Sequence, residues 1–319
     1  MTDLSPLFSA VRQAAELCRR IQHTHFVRND KGVNDPVTIA DYGSQVILLR
    51  AISRLFPDDG ILSEEQGEQF MTLLSDAQRL EIAALLRDVL GEAVAIDEIP
   101  GWLDHNRGVQ TPRTWVVDPV DGTKGFINMR HYTIVVGVLQ NGAAVDGLMG
   151  CPGHPSDDGR GVLFYTRAGA AYREPIDGGS ATRLRVSDRT DMATVQTVES
   201  VEWEHSDFET MRRIRQNLGI PDANVLQVDS QEKYGRVAEG LADCYFRLPR
   251  SQSDRIWIWD HAAGTALAVA AGGRVSDLQG QPLDFSQGRQ IPGDGILVTN
   301  GHIHHRVVEA IRGARAPQG

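Results

Sequence analysis

The sequence predicts an α/β protein of two packed units. The first, residues 1–179, combines helices with an antiparallel sheet; the second, residues 180–319, alternates strands and helices. Three observations carry this reading. Apolar residues recur at helical spacing through the first 56 positions. Asn141-Gly142 separates two apolar runs, a strong hairpin signal. Beyond "DGGS" (177–180), strand-like and helix-like stretches alternate. A chain of 319 residues is also long enough for two units rather than one.

The elements follow in order. Leu7, Val11, Ala14, Leu17 and Ile21 predict a helix over 5–22. "TIADYGSQVILLRAISRLF" predicts a second, with Ile39, Tyr42, Val46, Leu49, Ile52 and Phe56 on one face. Thr38, with Asp41 three residues on, resembles a capping box, which would place Asp41 in the first turn. "ILSEEQGE" reads as a short strand ending in acids, and 72–90 as one helix. A polar excursion, 91–114, precedes the apolar lead-in "WVV" to Asp118. "HYTIVVGVLQNGAAVDGLMGC" and "GVLFYTRAGAAYRE" read as hairpins. In the second unit "VLQVD", "SQEKYGRVAEGL", "ADCYFRLP", "DHAAGTALAVAAGG", "RVSDL", "GILVTN" and "HRVVEAIRG" supply the alternation.

Composition narrows the function classes. Hydrophobic residues at 41% and charged residues at 23% are ordinary for a globular protein. A net charge of −10 argues against a nucleic-acid polymer or an anionic membrane as partner. Cys18, Cys151 and Cys244 have no zinc-ligand spacing and read as reduced core thiols. The N-terminal stretch lacks the pattern of a signal peptide, and no apolar run would span a bilayer. A cytoplasmic location is expected.

Four acidic features sit at the ends of apolar elements. Glu64-Glu65 follows "IL", Asp118 and Asp121 follow "WVV", Asp260 follows "RIWIW", and Asp41 opens the second helix. Taken singly, Asp41 and Asp260 read as helix caps, and Glu64-Glu65 as a solvated turn. Gathered in one site, these acids would repel one another, and a hard divalent cation resolves that. Mg²⁺ prefers oxygen ligands and commonly shares its shell with phosphate. Between Asp118 and Asp121, Pro119 fixes one φ and Gly122 frees the next turn. A tight bend there would aim both carboxylates and the Val120 carbonyl one way. Thr123 adds a hydroxyl, and the N–H groups of 122–125 suit an anion. "DGTKGF" fits neither a Walker A loop nor an EF-hand. Trp257 and Trp259 read as core packing.

"DPVDGTKGF", "PVTIADYGSQ", "SEE" and "WDHAAG" resemble the lithium-sensitive, magnesium-dependent phosphatase superfamily that includes inositol monophosphatase and 3′(2′),5′-bisphosphate nucleotidase. The likeness runs from about residue 36 to 300. "TKGF", "VDSQEKY", "YFRLP" and "GGRVSDLQGQPLDFSQGR" resemble the nucleotidase branch. The resemblance implies a layered αβαβα sandwich with the site between the two units. It implies two or three Mg²⁺ held by Glu64, Asp118, Asp121, Asp260 and the Val120 carbonyl, with Glu65 behind them or in contact with a third ion. Thr123, bonded to Asp41, would aim or deprotonate the attacking water. Gly122, Thr123 and Asp260 would also meet substrate. His205, Ser230, Lys233 and Arg247 match positions that hold the AMP moiety. For Arg247 the alternative is an edge salt bridge, and for His205 a surface histidine. The implied reaction removes the 3′-phosphate of 3′-phosphoadenosine 5′-phosphate or its 5′-phosphosulfate. An inositol or sugar phosphatase is the alternative. The expected partner is the small nucleotide, and the expected assembly a monomer or weak homodimer.

Overall fold

The computed structural model describes residues 2–24, 36–202, 206–250 and 254–315. Its layers follow from which face each apolar side chain takes. Helices α1 (Phe8–Gln22), α2 (Pro36–Leu55) and α4 (Asp76–Leu90) cover one face of a seven-stranded sheet; α3 (Gly67–Leu73) and α5 (Ile99–Leu103) buttress α2 and each other. That sheet runs in chain order: β1 (Gly60–Ser63), β2 (Arg113–Asp121), β3 (Thr133–Gln140), β4 (Ala143–Cys151), β5 (Val162–Arg167), β6 (Ala170–Pro175) and β7 (Thr182–Arg183). Only β1–β2 pair in parallel. The short helix α6 (Thr123–Ile127) leaves the end of β2.

The second sheet holds β8 (Thr197–Glu199), β9 (Val225–Gln227), β10 (Cys244–Arg247), β11 (Arg274–Ser276) and β12 (Ile296–Thr299), in the order β11-β12-β10-β8-β9. Its outer face packs on α7 (Phe208–Leu218) and α10 (His304–Arg315). Between the sheets lie α8 (Glu232–Ala238) and α9 (Ala262–Ala270). The result is an αβαβα sandwich. In β2 the alternation is visible residue by residue. Trp115 and Val117 face the outer helices, whereas Val116 faces the middle layer. A strand covered on both faces reads as a continuous apolar run, which is why "WVV" shows no polar alternation.

Three expectations change. Helix α2 begins at Pro36, so Thr38 lies inside it and Asp41 falls in its second turn. Proline suits a first helical position because its φ is preset and it lacks an N–H that would be orphaned. The helix expected over 72–90 is two, broken at Leu74. Ser75 caps α4 with a reciprocal Ser75–Gln78 capping box, a signal present in "SDAQ". The excursion 91–114 is not wholly polar loop: it contains α5, whose Ile99 and Leu103 are buried. The hairpin turn at Asn141-Gly142 is as expected, both residues having positive φ (51° and 77°).

The three cysteines are free and buried, and burial raises each thiol pKa. No helix among the described residues is long and apolar enough to cross a membrane.

His304 opens α10 and is almost fully buried, between Ser276 Oγ and Thr299 Oγ1, each at 2.9 Å. Burial, then the nearby Arg274 and His305, pushes its pKa down to about 4. An unfolded histidine titrates near 6.5. The unfolded state therefore binds the proton first as pH falls. Stability from this residue is complete above about pH 6.5 and is lost towards pH 4, by about 2 kcal/mol at pH 5. In urea titrations at pH 7.5 and 5, the wild type should lose more stability than His304→Gln. Equal losses would refute the assignment.

Candidate active site

β2 brings the acids to the site through one irregularity. Asp118 pairs with Val135, but Asp121 pairs with Thr133, so a bulge falls at Pro119-Val120. A proline inside a strand is tolerated at a bulge, where no ladder hydrogen bond is required of it. Gly122 follows with φ 88°, a left-handed conformation that turns the chain into α6. A Cβ at Gly125 would lie 1.9 Å from the His131 carbonyl. Gly122 and Gly125 thus let the turn pack directly against segment 229–231.

A cavity of about 460 Å³ opens over this turn, lined by residues from Glu64 to His261. Its lining includes Glu64, Asp118, Val120, Asp121 and Asp260, together with Ser230, Lys233 and Arg247. Burial, then neighbouring acids, raises the carboxyl pKa values: Glu64 to about 8, Asp260 to about 7, Asp118 well above its usual range. Glu64 is reached by solvent through the cavity, yet enough protein surrounds it to make its charge costly. Burial also raises Asp121, partly offset by Lys233 and by a hydrogen bond from the Gln231 N–H. Thr133 Oγ1 donates to the same Asp121 oxygen at 3.1 Å.

The family-implied magnesium fits these residues on two counts. Every donor is oxygen, as a hard cation requires. Asp118 Oδ1 is buried with no hydrogen-bond partner, and such an orphan in a native site calls for a ligand. The fit is one of donor chemistry: among the described residues no three His, Cys, Asp or Glu side chains already form a closed ligating cluster. The acids line a shared cavity instead.

The other expected residues are placed as follows. Asp41 does not line the cavity but is near enough to Asp118 to help raise its pKa. In this structure the Thr123 hydroxyl is turned to the Val120 carbonyl, at 3.5 Å. Glu65 does not line the cavity and is bonded to Tyr42; its backbone is held by Gln45 (2.8 and 2.9 Å) and by Arg107 (2.6 Å). Ser230 is a non-glycine at φ 67°, strain of a kind concentrated at functional sites. Lys233 is buried, with Nζ 3.2 Å from the Val228 carbonyl and 5.5 Å from the Tyr245 ring centroid; burial pulls its pKa down to about 8. Arg247 lies 3.6 Å from Asp260 and 3.4 Å from His261 Nε2. Arg247 ends the central strand of its sheet rather than an edge, and it both approaches Asp260 and lines the cavity. His205 lies outside the described residues.

Several residues in and behind the cavity wall escaped the sequence reading. Gln231, inside "DSQEKY", bonds Asp121 through its N–H, Trp259 O through Nε2 (2.7 Å) and Gly264 N through Oε1 (3.2 Å). Glu232, wholly buried, anchors the same segment by accepting from Arg236 (2.7 Å) and pairing with His131 (2.8 Å) and His154 (3.0 Å). Burial would raise its pKa, but these bonds outweigh it and hold the carboxyl at about 2. Trp257 is a correction. It stacks on buried Trp259 (centroids 5.1 Å, 5° between planes), yet is half-buried and forms cavity wall. Alternate residues share a face, so the sequence placed both rings together without revealing that the face ends at the cavity.

Two layered sheets with an oxygen-donor cavity at the end of β2 define a class. The chain belongs to the Inositol monophosphatase family, whose model matches residues 3–315; the family is magnesium-dependent in general. Among its relatives, the 3′(2′),5′-bisphosphate nucleotidase of Emericella nidulans is 34% identical over 343 residues, covering 95% of each chain. The 3′(2′),5′-bisphosphate nucleotidase 2 of Candida albicans is 30% identical, covering 96% of this chain and 95% of that one. Among solved structures, Thermotoga maritima IMPase TM1415 superposes with a TM-score of 0.64 at 19% identity, covering 98% of both chains. CysQ from Bacteroides thetaiotaomicron gives 0.62 at 24% identity, covering 93% of this chain and 96% of that one.

Proposed function

We propose that this chain is a magnesium-dependent phosphomonoesterase that hydrolyses the 3′-phosphate of 3′-phosphoadenosine 5′-phosphate, releasing AMP and phosphate, and that it accepts the 5′-phosphosulfate analogue. The observation that carries the reading is one cavity whose lining holds both the oxygen donors and the cations Lys233 and Arg247. A substrate with two separated phosphates matches that polarity. The similarity to bisphosphate nucleotidases over nearly the whole chain supports it.

Two or three Mg²⁺, held by Glu64, Asp118, Asp121, Asp260 and the Val120 carbonyl, would lower the pKa of a water and neutralise phosphoryl oxygens. The remaining work belongs to side chains. Thr123 aims the water and relays its proton, the threonine's own hydroxyl proton passing to the Asp41 carboxylate. The water oxygen attacks phosphorus, the bond to the 3′-oxygen breaks, and the leaving oxygen takes a proton from solvent water, to which Asp41 later returns its own. Lys233 and Ser230 hold the 5′-phosphate, and Arg247 supplies a planar fork to the same group. By the family resemblance His205 would contact the AMP moiety, and Glu65 would stand behind the metal ligands. Phosphoryl transfer rests on such positioning and charge neutralisation rather than on a covalent intermediate.

The test is phosphate release from 3′-phosphoadenosine 5′-phosphate beside inositol 1-phosphate, with Mg²⁺, with chelator and with LiCl. The nucleotide should show the higher kcat/KM, and both chelation and Li⁺ should suppress turnover. Turnover that survives chelation would sink the metal reading; a higher kcat/KM for inositol 1-phosphate would sink the substrate reading.

A further inference from the structure

A second cavity of about 460 Å³ lies beside β1, and its lining shares no residue with the acidic one. Leu62, Val109, Leu139 and Phe285 give it apolar walls. Arg107 and Arg289 are the charged residues of its lining, and no carboxylate joins them. In a chain of net charge −10, two cations facing one apolar space is an unusual local balance.

The hydrogen bonds of both guanidiniums go to neutral oxygens. Arg107 donates to Ser63 Oγ (3.2 Å), Ser63 O (3.3 Å) and Glu65 O (2.6 Å). Arg289 donates to Glu64 O at 3.3 Å and lies over the Trp259 ring at 4.8 Å. Its Nε is buried with no acceptor. Burial, then Arg289, lowers the Arg107 pKa, so the two like charges feel each other. Glu65 feels both, but does not line the cavity. A pair of planar donors, one N–H unsatisfied, beside an apolar wall is the complement of an anion with an apolar body.

We propose that this cavity binds a small organic anion: its carboxylate or sulfonate head on the Arg107–Arg289 pair, its flat apolar body against Val109, Leu139 and Phe285. The head would meet the two arginines that hold the Glu64-Glu65 peptide. The site therefore touches the acidic wall from behind without sharing its lining.

The probe is 8-anilinonaphthalene-1-sulfonate, whose fluorescence rises in an apolar site, titrated into the intact protein. One saturable site is expected. Arg289→Gln should weaken it by about tenfold or more, the size of one lost charge-assisted contact. Val109→Trp should abolish it by filling the cavity; Val109 is 49% exposed, so folding tolerates the change. The uncharged N-phenyl-1-naphthylamine should bind Arg289→Gln as well as wild type. No saturable binding, or affinity unchanged in both variants, overturns the proposal. The readout needs no turnover, so it stands or falls apart from the phosphatase reading.

Discussion

Asp121→Asn should lower kcat by at least about 10³-fold, a loss of about 4 kcal/mol of transition-state stabilisation, in a protein that remains folded. Both hydrogen bonds to Asp121, from the Gln231 N–H and from Thr133, fall on Oδ2. An asparagine carbonyl can replace that oxygen. The amide nitrogen then occupies the other position, and a donor stands where a cation needs a lone pair. The change also removes one charge from a group of mutually repelling acids. In chelator, the variant should therefore melt at the same temperature as wild type or higher. Phosphate-release kinetics and thermal melts check both halves. A kcat within tenfold of wild type would remove Asp121 from the metal site.

Lys233→Met should raise KM for 3′-phosphoadenosine 5′-phosphate by about 10- to 100-fold and change kcat much less. The lysine is buried, and its pKa is pulled down to about 8 chiefly by that burial. Its hydrogen bond goes to a backbone carbonyl. A desolvated cation held this way costs stability until an anion arrives. A charge-assisted bond to phosphate is worth about 1.5–3 kcal/mol, which sets the expected KM change. Methionine fills nearly the same volume but leaves Asp121 without the charge that offsets its burial, so the change brings the empty protein no gain in stability. An unchanged KM with a collapsed kcat would mean that Lys233 serves the acids rather than the nucleotide.

How much of this was legible depended on whether local chemistry or distant packing decided each feature. The hairpin at Asn141-Gly142 is fixed by its own residues, and the sequence shows it. So is the end of β1 just before Glu64, whereas β2 carries Asp118 inside it and ends at Asp121. The α2 start was misplaced because two local signals compete there, Thr38 with Asp41 and Pro36. The break between α3 and α4 was written in "SDAQ" and overlooked, as was α7, with Asp207 capping it through Thr210 N. The role of Gln231 had no local signal. It follows from the approach of segment 229–231 to Gly122 and Gly125, about a hundred positions away, and periodicity carries no such information. Trp257 was hidden for the same reason: its ring marks where a packed face meets a cavity, and only the tertiary structure draws that line.

The middle layer has a consequence for the order in which the chain is made. Val135, Met149, Val162 and Phe164 of the first sheet are covered by Ala263, Leu267 and Ala271. The ribosome completes the sheet roughly 80 residues before it makes that cover. During this interval a broad apolar face has no native partner, and exposed surface of this kind invites association between nascent chains. Asp260 is made at the end of the same interval, just ahead of α9. The residues that close the acidic wall and those that cover the sheet thus emerge together, and the nascent chain gains its last acid only as its exposed face is hidden.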